Sequence, residues 1–326
     1  MKALVTGAGG FVGRHVVAQL LARGDQVRGL CRGEAAALRE MGVEVSRGDL
    51  RDRDAVAAAC QGVDIAFHVA AVAGIWGPWR HYHGVNTLGT EHVIAGCRAH
   101  GVPRLVYTSS PSVTFRPADQ EGIDETTPYA RRWLCHYAHT KALAEQRVLA
   151  ANGDGLATCA LRPHLIWGPG DPHLVPRLFD RARRGRLWRI GAGRNLIDTV
   201  FVENAAAAHL AAADALSSSG PVAGRAYYIS QGEPVNCWEW IDSLLALEGI
   251  PPVRKTLSLG TAWCLGAVCE AVYFFLRLPG EPPMTRFLAS QMAHSHYFSI
   301  DRARNDFGYR PAVSIEEGMR RLAASL

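Results

Sequence analysis

A tyrosine and a lysine stand four positions apart, at Tyr137 and Lys141, downstream of the serine pair Ser109 and Ser110. On a helix, residues four apart share one face, so the phenol and the ammonium are expected to lie side by side. A free tyrosine has a pKa near ~10, and a neighbouring ammonium lowers that pKa by favouring the phenolate. A serine hydroxyl stabilises charge that develops on a carbonyl oxygen. The set predicts proton transfer to or from the oxygen of a ketone or an alcohol.

A glycine-rich loop near the N-terminus contains Gly7, Gly10 and Gly13. Such glycines permit a tight turn, let the backbone approach a pyrophosphate, and let a helix pack closely on a strand. The helix that begins at Phe11 and Val12 adds the positive end of its dipole. The loop therefore predicts a dinucleotide site.

The end of the second predicted strand reads Leu30-Cys31-Arg32-Gly33, with no carboxylate. An enzyme that uses NAD usually places Asp or Glu here, to accept a hydrogen bond from the ribose 2′-OH. The Arg32 guanidinium can instead pair with a 2′-phosphate, and Arg14 is a second candidate for that role. NADP is the favoured cofactor, while NAD is the alternative if Arg32 is only an exposed loop residue.

Alternating apolar strands and helices must hold these residues. Strands are predicted at 2–6, 26–31, 43–46, 65–70, 105–109 and 157–162, and helices at 14–23, 90–100 and 137–151. This alternation predicts an α/β fold, a doubly wound parallel sheet of the Rossmann type. After Pro163 the sequence predicts helices mixed with short strands, and Pro and Trp become more frequent. We therefore expect a dinucleotide-binding domain over 1–165 and a smaller α/β substrate lobe over 166–326.

The composition excludes several classes of protein. The chain has 326 residues, of which 48% are apolar, and its formal charge is +5. The arginines between residues 177 and 189 are better explained as a solvated helix face than as a nucleic-acid site. Its eight cysteines form no Cys-x-x-Cys pair and its thirteen histidines complete no metal shell. The first predicted strand begins at the second residue, which leaves no room for a signal peptide, so a cytoplasmic protein is expected. No metal is expected.

Two apolar features indicate a bulky substrate. The first is a set of aromatic residues beyond the strand ends, which could line a pocket or the core between lobes: Trp76, Trp79, Tyr82, Trp133 and Trp167. The second is the stretch 257–278, in which Glu270 argues against a membrane span. A buried or lid helix is favoured there, and a helix on a membrane surface, or in contact with a pathway enzyme, is the alternative.

Taken in order, these motifs resemble the extended short-chain dehydrogenase/reductase family, nearly end to end. Within it, the chain is similar to the branch of 3β-hydroxysteroid dehydrogenases, sterol-4-carboxylate dehydrogenases and dihydroflavonol reductases. A nearer likeness, to the 2-alkyl-3-oxoalkanoate reductases of bacterial olefin synthesis, rests on residues 67–71, 74–77, 107–113, 198–204 and 296–298.

The resemblance assigns roles to individual residues. It makes Ser110, rather than Ser109, the catalytic serine beside Tyr137 and Lys141. It also places Ser109, Tyr137 and Lys141 against the cofactor, with the lysine on the nicotinamide ribose hydroxyls. It places Asp49 and Leu50 over the adenine. The remaining assignments put Ala70 and Ala71 along the nicotinamide ribose, Asn86 behind the active-site backbone, and Pro163 and His164 against the carboxamide.

The same resemblance implies a function and an assembly. The function is NADP(H)-dependent reduction of an apolar 2-alkyl-3-oxoalkanoate to its 3-hydroxy acid. A 3β-hydroxysteroid or sterol-4-carboxylate dehydrogenase, or a non-catalytic NADP-binding regulator, is the alternative. The assembly is a homodimer through the helices 90–100 and 137–151, and segment 196–222 is expected to return to the sheet.

Overall fold

The computed structural model describes residues 1–33 and 35–326 as alternating strands and helices. The strands are β1 (Lys2–Thr6), β2 (Gln26–Cys31), β3 (Glu44–Arg47), β4 (Ile65–His68), β5 (Arg104–Thr108), β6 (Gln120–Ile123), β7 (Ala157–Pro163), β8 (Ile166–Trp167), β9 (Arg189–Ile190), β10 (Leu196–Ile197), β11 (Val200–Phe201), β12 (Arg225–Ile229), β13 (Val235–Asn236), β14 (Thr256–Leu257) and β15 (His296–Phe298). The helices are α1 (Phe11–Ala22), α2 (Ala36–Glu40), α3 (Arg53–Cys60), α4 (Trp79–Tyr82), α5 (Gly89–Ala99), α6 (His136–Ala150), α7 (Leu174–Arg183), α8 (Val202–Ala215), α9 (Cys237–Leu247), α10 (Leu259–Phe275), α11 (Arg286–Ala293), α12 (Asp301–Phe307) and α13 (Ile315–Ala323). A π-helical turn, His83–Leu88, joins α4 to α5, and a 3-10 turn, Pro111–Thr114, follows β5.

Seven parallel strands form the larger sheet, in the spatial order β12, β7, β5, β4, β1, β2, β3. Every residue of β4 and of β7 is buried, as parallel strands covered by helices on both faces require. The sheet confirms the doubly wound α/β prediction. The strand order reverses on either side of β1, and ligands bind at the carboxyl ends of strands at such a point.

Four strand ends meet at that edge. β1 leads into Gly7, β4 into Ala70, β5 into Ser110, and β7 ends at Pro163. β4 stops at His68, two residues before the predicted end, and the chain then turns so that Ala70 contacts the glycine loop. The topology thus brings the predicted catalytic and cofactor residues to one side of the sheet.

The two halves of the chain exchange elements. The smaller sheet, in the order β13, β10, β15, β6, takes β6 from the first half. In return, α8 packs its buried alanines into the same core as Val16, Val17 and Leu20 of α1. β12 then pairs with β7 as the last strand of the larger sheet, and it lies beyond the predicted returning segment 196–222.

The apolar stretch near residue 260 forms α10. It is not the buried helix that was one of the two favoured expectations, whereas the other, a lid helix, stays a prediction. Only Ala262, Gly266 and Glu270 of this helix are buried, on one narrow stripe. An added Cβ on Gly266 would stand 2.7 Å from the backbone nitrogen of Arg286, so α10 lies directly on the start of α11. Among the described residues, no helix is both long enough and apolar enough to cross a membrane.

Candidate active site

Helix α6 carries Tyr137 and Lys141 one turn apart, as the spacing predicts. The predicted lowering of the tyrosine pKa is not seen in the structure. Burial raises the pKa of Tyr137, while a hydrogen bond from Ser110 acts in the opposite direction and a thiol at Cys135 adds to the increase. Because desolvation of the phenolate outweighs the other effects, Tyr137 is a protonated acid at neutral pH.

Ser110 lies two residues after β5, in extended backbone, and caps the 3-10 turn that follows. Its Oγ accepts hydrogen bonds from the Ser112 backbone N–H, at 3.2 Å, and from the Ser112 hydroxyl, at 2.9 Å. Both lone pairs of Ser110 Oγ are therefore used, and its own hydrogen remains to be donated. The arrangement directs the Ser110 O–H toward the phenol of Tyr137 or toward a bound carbonyl oxygen.

Lys141 is buried and its ammonium contacts the strand beneath it. Nζ donates to the carbonyl of Thr108 and lies 4.2 Å from the centre of the Tyr107 ring. Burial lowers the pKa of Lys141 to about 7, and the charge of Glu145, one turn further along α6, partly offsets that effect. The lysine can therefore change charge near neutral pH, which suits a group that assists proton exchange.

Glu145 is fully buried and belongs to an ion pair behind the lysine. Its two oxygens accept bonds from Arg162 Nη2 and Nε, at 2.6 and 3.0 Å, and the hydroxyl of Tyr129 donates a third at 2.7 Å. Three donors therefore satisfy this buried carboxylate. It fixes a negative charge beside the otherwise apolar surroundings of Lys141.

A chain of hydrogen bonds through His68 fixes the backbone after β4. Thr90 Oγ1 donates to the Asn86 carbonyl and so must accept from His68 Nε2, at 2.8 Å. His68 Nδ1 then accepts from Thr6 Oγ1, at 2.7 Å, and that oxygen accepts from the Ala70 N–H. Burial lowers the pKa of His68 to about 3, which keeps it neutral, as this sequence of donors requires.

Asn86 holds the next residues of the same loop. Its Oδ1 accepts from the Val72 N–H at 2.8 Å, and its Nδ2 donates to the Val72 carbonyl and to Thr140 on α6. The amide thus connects the backbone that follows β4 to the helix that carries Tyr137. This is the bracing position that the resemblance implies for Asn86.

The glycine loop has the form that a pyrophosphate requires. A Cβ on Gly13 would stand 2.1 Å from the Gly7 carbonyl oxygen, and one on Gly7 would stand 2.8 Å from Ala70 Cα. Helix α1 begins after Gly10 with no side-chain cap and no acid in its first turn, so the N–H groups of Phe11 and Val12 have no side-chain acceptor. These observations fit a dinucleotide phosphate at this helix N-terminus.

Arg32 lies exposed directly after β2, and neither Cys31 before it nor Gly33 after it is a carboxylate. Its charge helps to lower the pKa of Asp49, so the two groups share one side of the site. Arg51 does more, because its N–H, Nε and Nη2 all donate to the Asp49 carboxylate and hold that pKa at about 2. The side chain predicted to meet the adenine amine therefore already has a partner, while Leu50 next to it is buried.

His164, at the end of β7, points into the core between the lobes. Its Nδ1 donates to the Asp198 carbonyl at 2.8 Å, and its ring packs on His296 and Phe298. Burial lowers its pKa well below the usual value, so the ring is neutral and is no second acid. The carboxyl of Asp198 is also buried, which raises its pKa to about 6 although Oδ2 accepts from the Phe298 N–H at 2.8 Å.

The apolar cluster around Tyr137 contains two residues that the sequence did not indicate. Phe115 and Phe287 pack edge to face with their ring centres 5.0 Å apart. They share the cluster with Ile75, Trp133, Leu134, Cys135, Tyr137 and Ala138. Of the aromatic residues proposed for a pocket, only Trp133 belongs here, whereas Trp167 lies in the core of the smaller lobe. Ser112 was likewise not predicted, because a serine in a turn carries no signal of its own.

A parallel dinucleotide-binding sheet with Ser110, Tyr137 and Lys141 at one edge defines an oxidoreductase of the extended short-chain dehydrogenase/reductase class. The model of the 3-beta hydroxysteroid dehydrogenase/isomerase family matches residues 4–259, and the chain belongs to this family.

Curated relatives cover the whole chain. It is 54% identical, over 100% of its length and 99% of the relative's, to a 2-alkyl-3-oxoalkanoate reductase of Stenotrophomonas maltophilia (strain K279a). It is 34% identical, over 99% of its length and 90% of the relative's, to the decarboxylating sterol-4-alpha-carboxylate 3-dehydrogenase of Mus musculus. The solved structure of MoeE5 in complex with UDP-glucose and NAD is similar, with a TM-score of 0.77 and 25% identity, covering 100% of this chain and 98% of that one. The chain thus has the fold of a nicotinamide-dinucleotide enzyme.

Proposed function

We propose that this protein reduces 2-alkyl-3-oxoalkanoates to 2-alkyl-3-hydroxyalkanoates with NADPH. The observation that carries the proposal is the protonated Tyr137 next to a Ser110 hydroxyl whose lone pairs are both occupied by Ser112. A likeness of 54% identity to a relative of that name supports the substrate class. The apolar cluster of Ile75, Phe115, Trp133 and Phe287 beside Tyr137 suits alkyl chains.

Each catalytic side chain has a distinct task. Ser110 donates to the substrate oxygen and stabilises the charge that develops there. Tyr137 passes its proton to that oxygen as the carbonyl carbon is reduced, so the alcohol leaves neutral. Lys141, one turn further along α6 and with a pKa of about 7, can gain or lose a proton near neutral pH and so assist the exchange of the Tyr137 proton. The nicotinamide, when bound, supplies the hydride.

The preference for NADPH rests on Arg32. The exposed Arg32 guanidinium directly after β2 offers paired donors to a 2′-phosphate and no acceptor to a 2′-OH. Gly7, Gly10 and Gly13 hold the pyrophosphate whichever cofactor is bound. Ala70 and Ala71 would lie along the nicotinamide ribose, and Pro163 with His164 against the carboxamide.

The reaction is best tested in the direction of oxidation, because free 3-oxo acids lose carbon dioxide. The purified protein would be given NADP and a 2-alkyl-3-hydroxy acid, a 3β-hydroxysteroid or a flavonoid alcohol, and NADPH absorbance followed. The hydroxy acid is expected to give the highest kcat/KM. A higher value for the steroid would transfer the assignment to the dehydrogenase alternative. Tight NADP binding with no turnover of any alcohol would make the protein a regulator and overturn the proposal.

We also propose a homodimer through α5 and α6. Their outer faces form a shallow depression lined by small and apolar residues such as Ile94, Ala95 and Ala150. An ion pair between Glu91 and Arg147, at 3.1 Å, crosses it. Sedimentation velocity at micromolar concentration should give a dimer, and Ala95→Arg should give a monomer; a wild-type monomer would contradict this.

A further inference from the structure

Helix α10 is apolar around its whole circumference but packs through one narrow stripe. From Thr256 to Leu276 the sequence contains a single charged residue, Glu270. Its carboxylate is buried and accepts bonds from the backbone N–H and the Nε of Arg286, at 2.7 and 2.6 Å. The helix is therefore firmly attached to α11, and its free surface carries no charge.

The side chains on that free surface are large. Val268 is 60% exposed, Phe274 70% and Phe275 78%, and Leu265, Val272 and Leu276 are also exposed. At 3.6 residues per turn, these positions cover roughly 200° of the helix. A soluble protein rarely leaves so continuous an apolar surface in water, so another phase or molecule must cover it.

Unpaired basic residues stand at both ends of this surface. Arg254 and Lys255 precede the helix, Arg277 follows it, and all three are exposed and outside the ion pairs of the described residues. Lys255 Nζ lies 5.4 Å from the ring centre of Trp188, which is itself exposed. By contrast, Arg183 is neutralised by Glu248. The termini of α10 therefore carry net positive charge.

We propose that α10 inserts its exposed face into the surface of an anionic lipid bilayer. A helix with an uncharged, aromatic-rich exposed face and cations at its ends has the composition of an interfacial helix, and anionic lipids attract the flanking Arg254, Lys255 and Arg277. A protein partner would cover one face, whereas a lipid interface can surround the roughly 200° of arc that is exposed. Glu270, bound to Arg286, holds the helix parallel to the protein surface, on the lipid rather than across it.

The location of α10 gives this docking a consequence for substrates. Phe287 follows Arg286 on α11 and belongs to the apolar cluster beside Tyr137. One helix thus separates the lipid-facing surface from the catalytic side chains. A bilayer on α10 would supply long-chain substrates close to the pocket that uses them. This consequence rests on the proposed function; the docking itself does not.

Vesicle co-sedimentation tests the docking directly. The whole protein would be mixed with vesicles of phosphatidylcholine alone or with one third phosphatidylglycerol. Wild-type protein is expected to bind the anionic vesicles at least tenfold more tightly. Phe274→Asp with Phe275→Asp should abolish binding to both; these side chains are exposed, so the fold should survive. Arg254→Glu with Lys255→Glu should remove only the preference for phosphatidylglycerol.

Met41→Asp is the matched control, because Met41 is an exposed apolar residue on the other lobe, 41% accessible. It should bind like the wild type. The proposal is overturned if wild-type protein stays in the supernatant with all vesicles. It is also overturned if the aspartate pair at 274 and 275 leaves vesicle binding unchanged, or if that pair only dissociates an oligomer in lipid-free sedimentation, which would identify a second copy of the chain as the cover.

Discussion

The hydroxyl of Ser112 donates a hydrogen bond of 2.9 Å to the hydroxyl of Ser110. Because the Ser112 N–H donates to the same oxygen, both lone pairs of Ser110 Oγ are occupied, and its hydroxyl hydrogen can be donated only to another group. Ser112 therefore acts through Ser110, as a positioning residue, and its loss should affect the reaction more than the binding of substrate.

Replacement of Ser112 by Ala should lower kcat about three- to tenfold with little change in KM, since a neutral hydrogen bond contributes ~1 kcal/mol. Ser112→Thr keeps the hydroxyl and should restore most of the rate. Steady-state kinetics of the three proteins decide the matter; equal kcat for Ser112→Ala and wild type would show that Ser110 is oriented without it.

Replacement of Tyr137 by Phe should reduce kcat by a factor of about 10²–10⁴, which is what a positioned acid contributes. The affinity for NADPH, measured by quenching of protein fluorescence, should change little because the phenol is not the main contact of the cofactor. Tyr273→Phe on α10 serves as the control. Turnover within threefold of wild type would remove Tyr137 from the mechanism.

Replacement of Arg32 by Asp should shift the preference from NADPH toward NADH by at least tenfold in the ratio of the two kcat/KM values. The change removes the partner of the 2′-phosphate and provides an acceptor for the 2′-OH. Arg39→Asp, on the nearby helix α2, alters the net charge equally and should leave the ratio unchanged. If both variants shift it equally, long-range charge rather than contact sets the preference.

Asp198 should make stability depend on pH. Its folded pKa of about 6 lies above the unfolded value near ~3.9, so this group contributes stability below about pH 4 that is lost as the pH rises through about 6. Asp198→Asn keeps an acceptor for the Phe298 N–H without the charge. The stability of Asp198→Asn minus that of wild type should be about 1–1.5 kcal/mol larger at pH 8 than at pH 5, because only the wild type loses stability over this range.

Urea unfolding at the two pH values measures this difference directly. Asp54→Asn, at an exposed position of α3, is the control and should show no such dependence. A difference between Asp198→Asn and wild type that is the same at both pH values would mean that the buried carboxyl is already ionised at pH 5.

Short-range sequence patterns predicted the first strands and the catalytic helix face closely. The limits of β1 and β2 agree with prediction to the residue; β1 is a short, mostly apolar run followed by Gly7, and β2 alternates polar or small residues with Val27 and Leu30 before Arg32. The four-residue spacing placed Tyr137 and Lys141 on one helix face. These features depend on neighbours in sequence, which is why the sequence alone sufficed.

Features that depend on distant neighbours were not predictable. Phe287 reaches the cluster of Tyr137 from a helix 150 positions later, and the raised pKa of Tyr137 follows from burial that the whole fold creates. The exposure of α10 was missed for a related reason. An apolar sequence indicates that a helix would prefer apolar contacts. It does not show that α10 touches the rest of the protein only along the stripe of Gly266, which lies against the backbone of Arg286.

The exchange of elements between the two halves has a consequence for how the chain folds during synthesis. When residue 165 has left the ribosome, β7 still lacks β12, and the apolar side of α1 still lacks α8. Six of the seven strands of the larger sheet exist by then, but the edge that β12 later covers is unpaired, a state prone to association with other chains. The N-terminal half is therefore expected to need protection until about seventy further residues have emerged, and the dinucleotide site matures late although its loop is synthesised first.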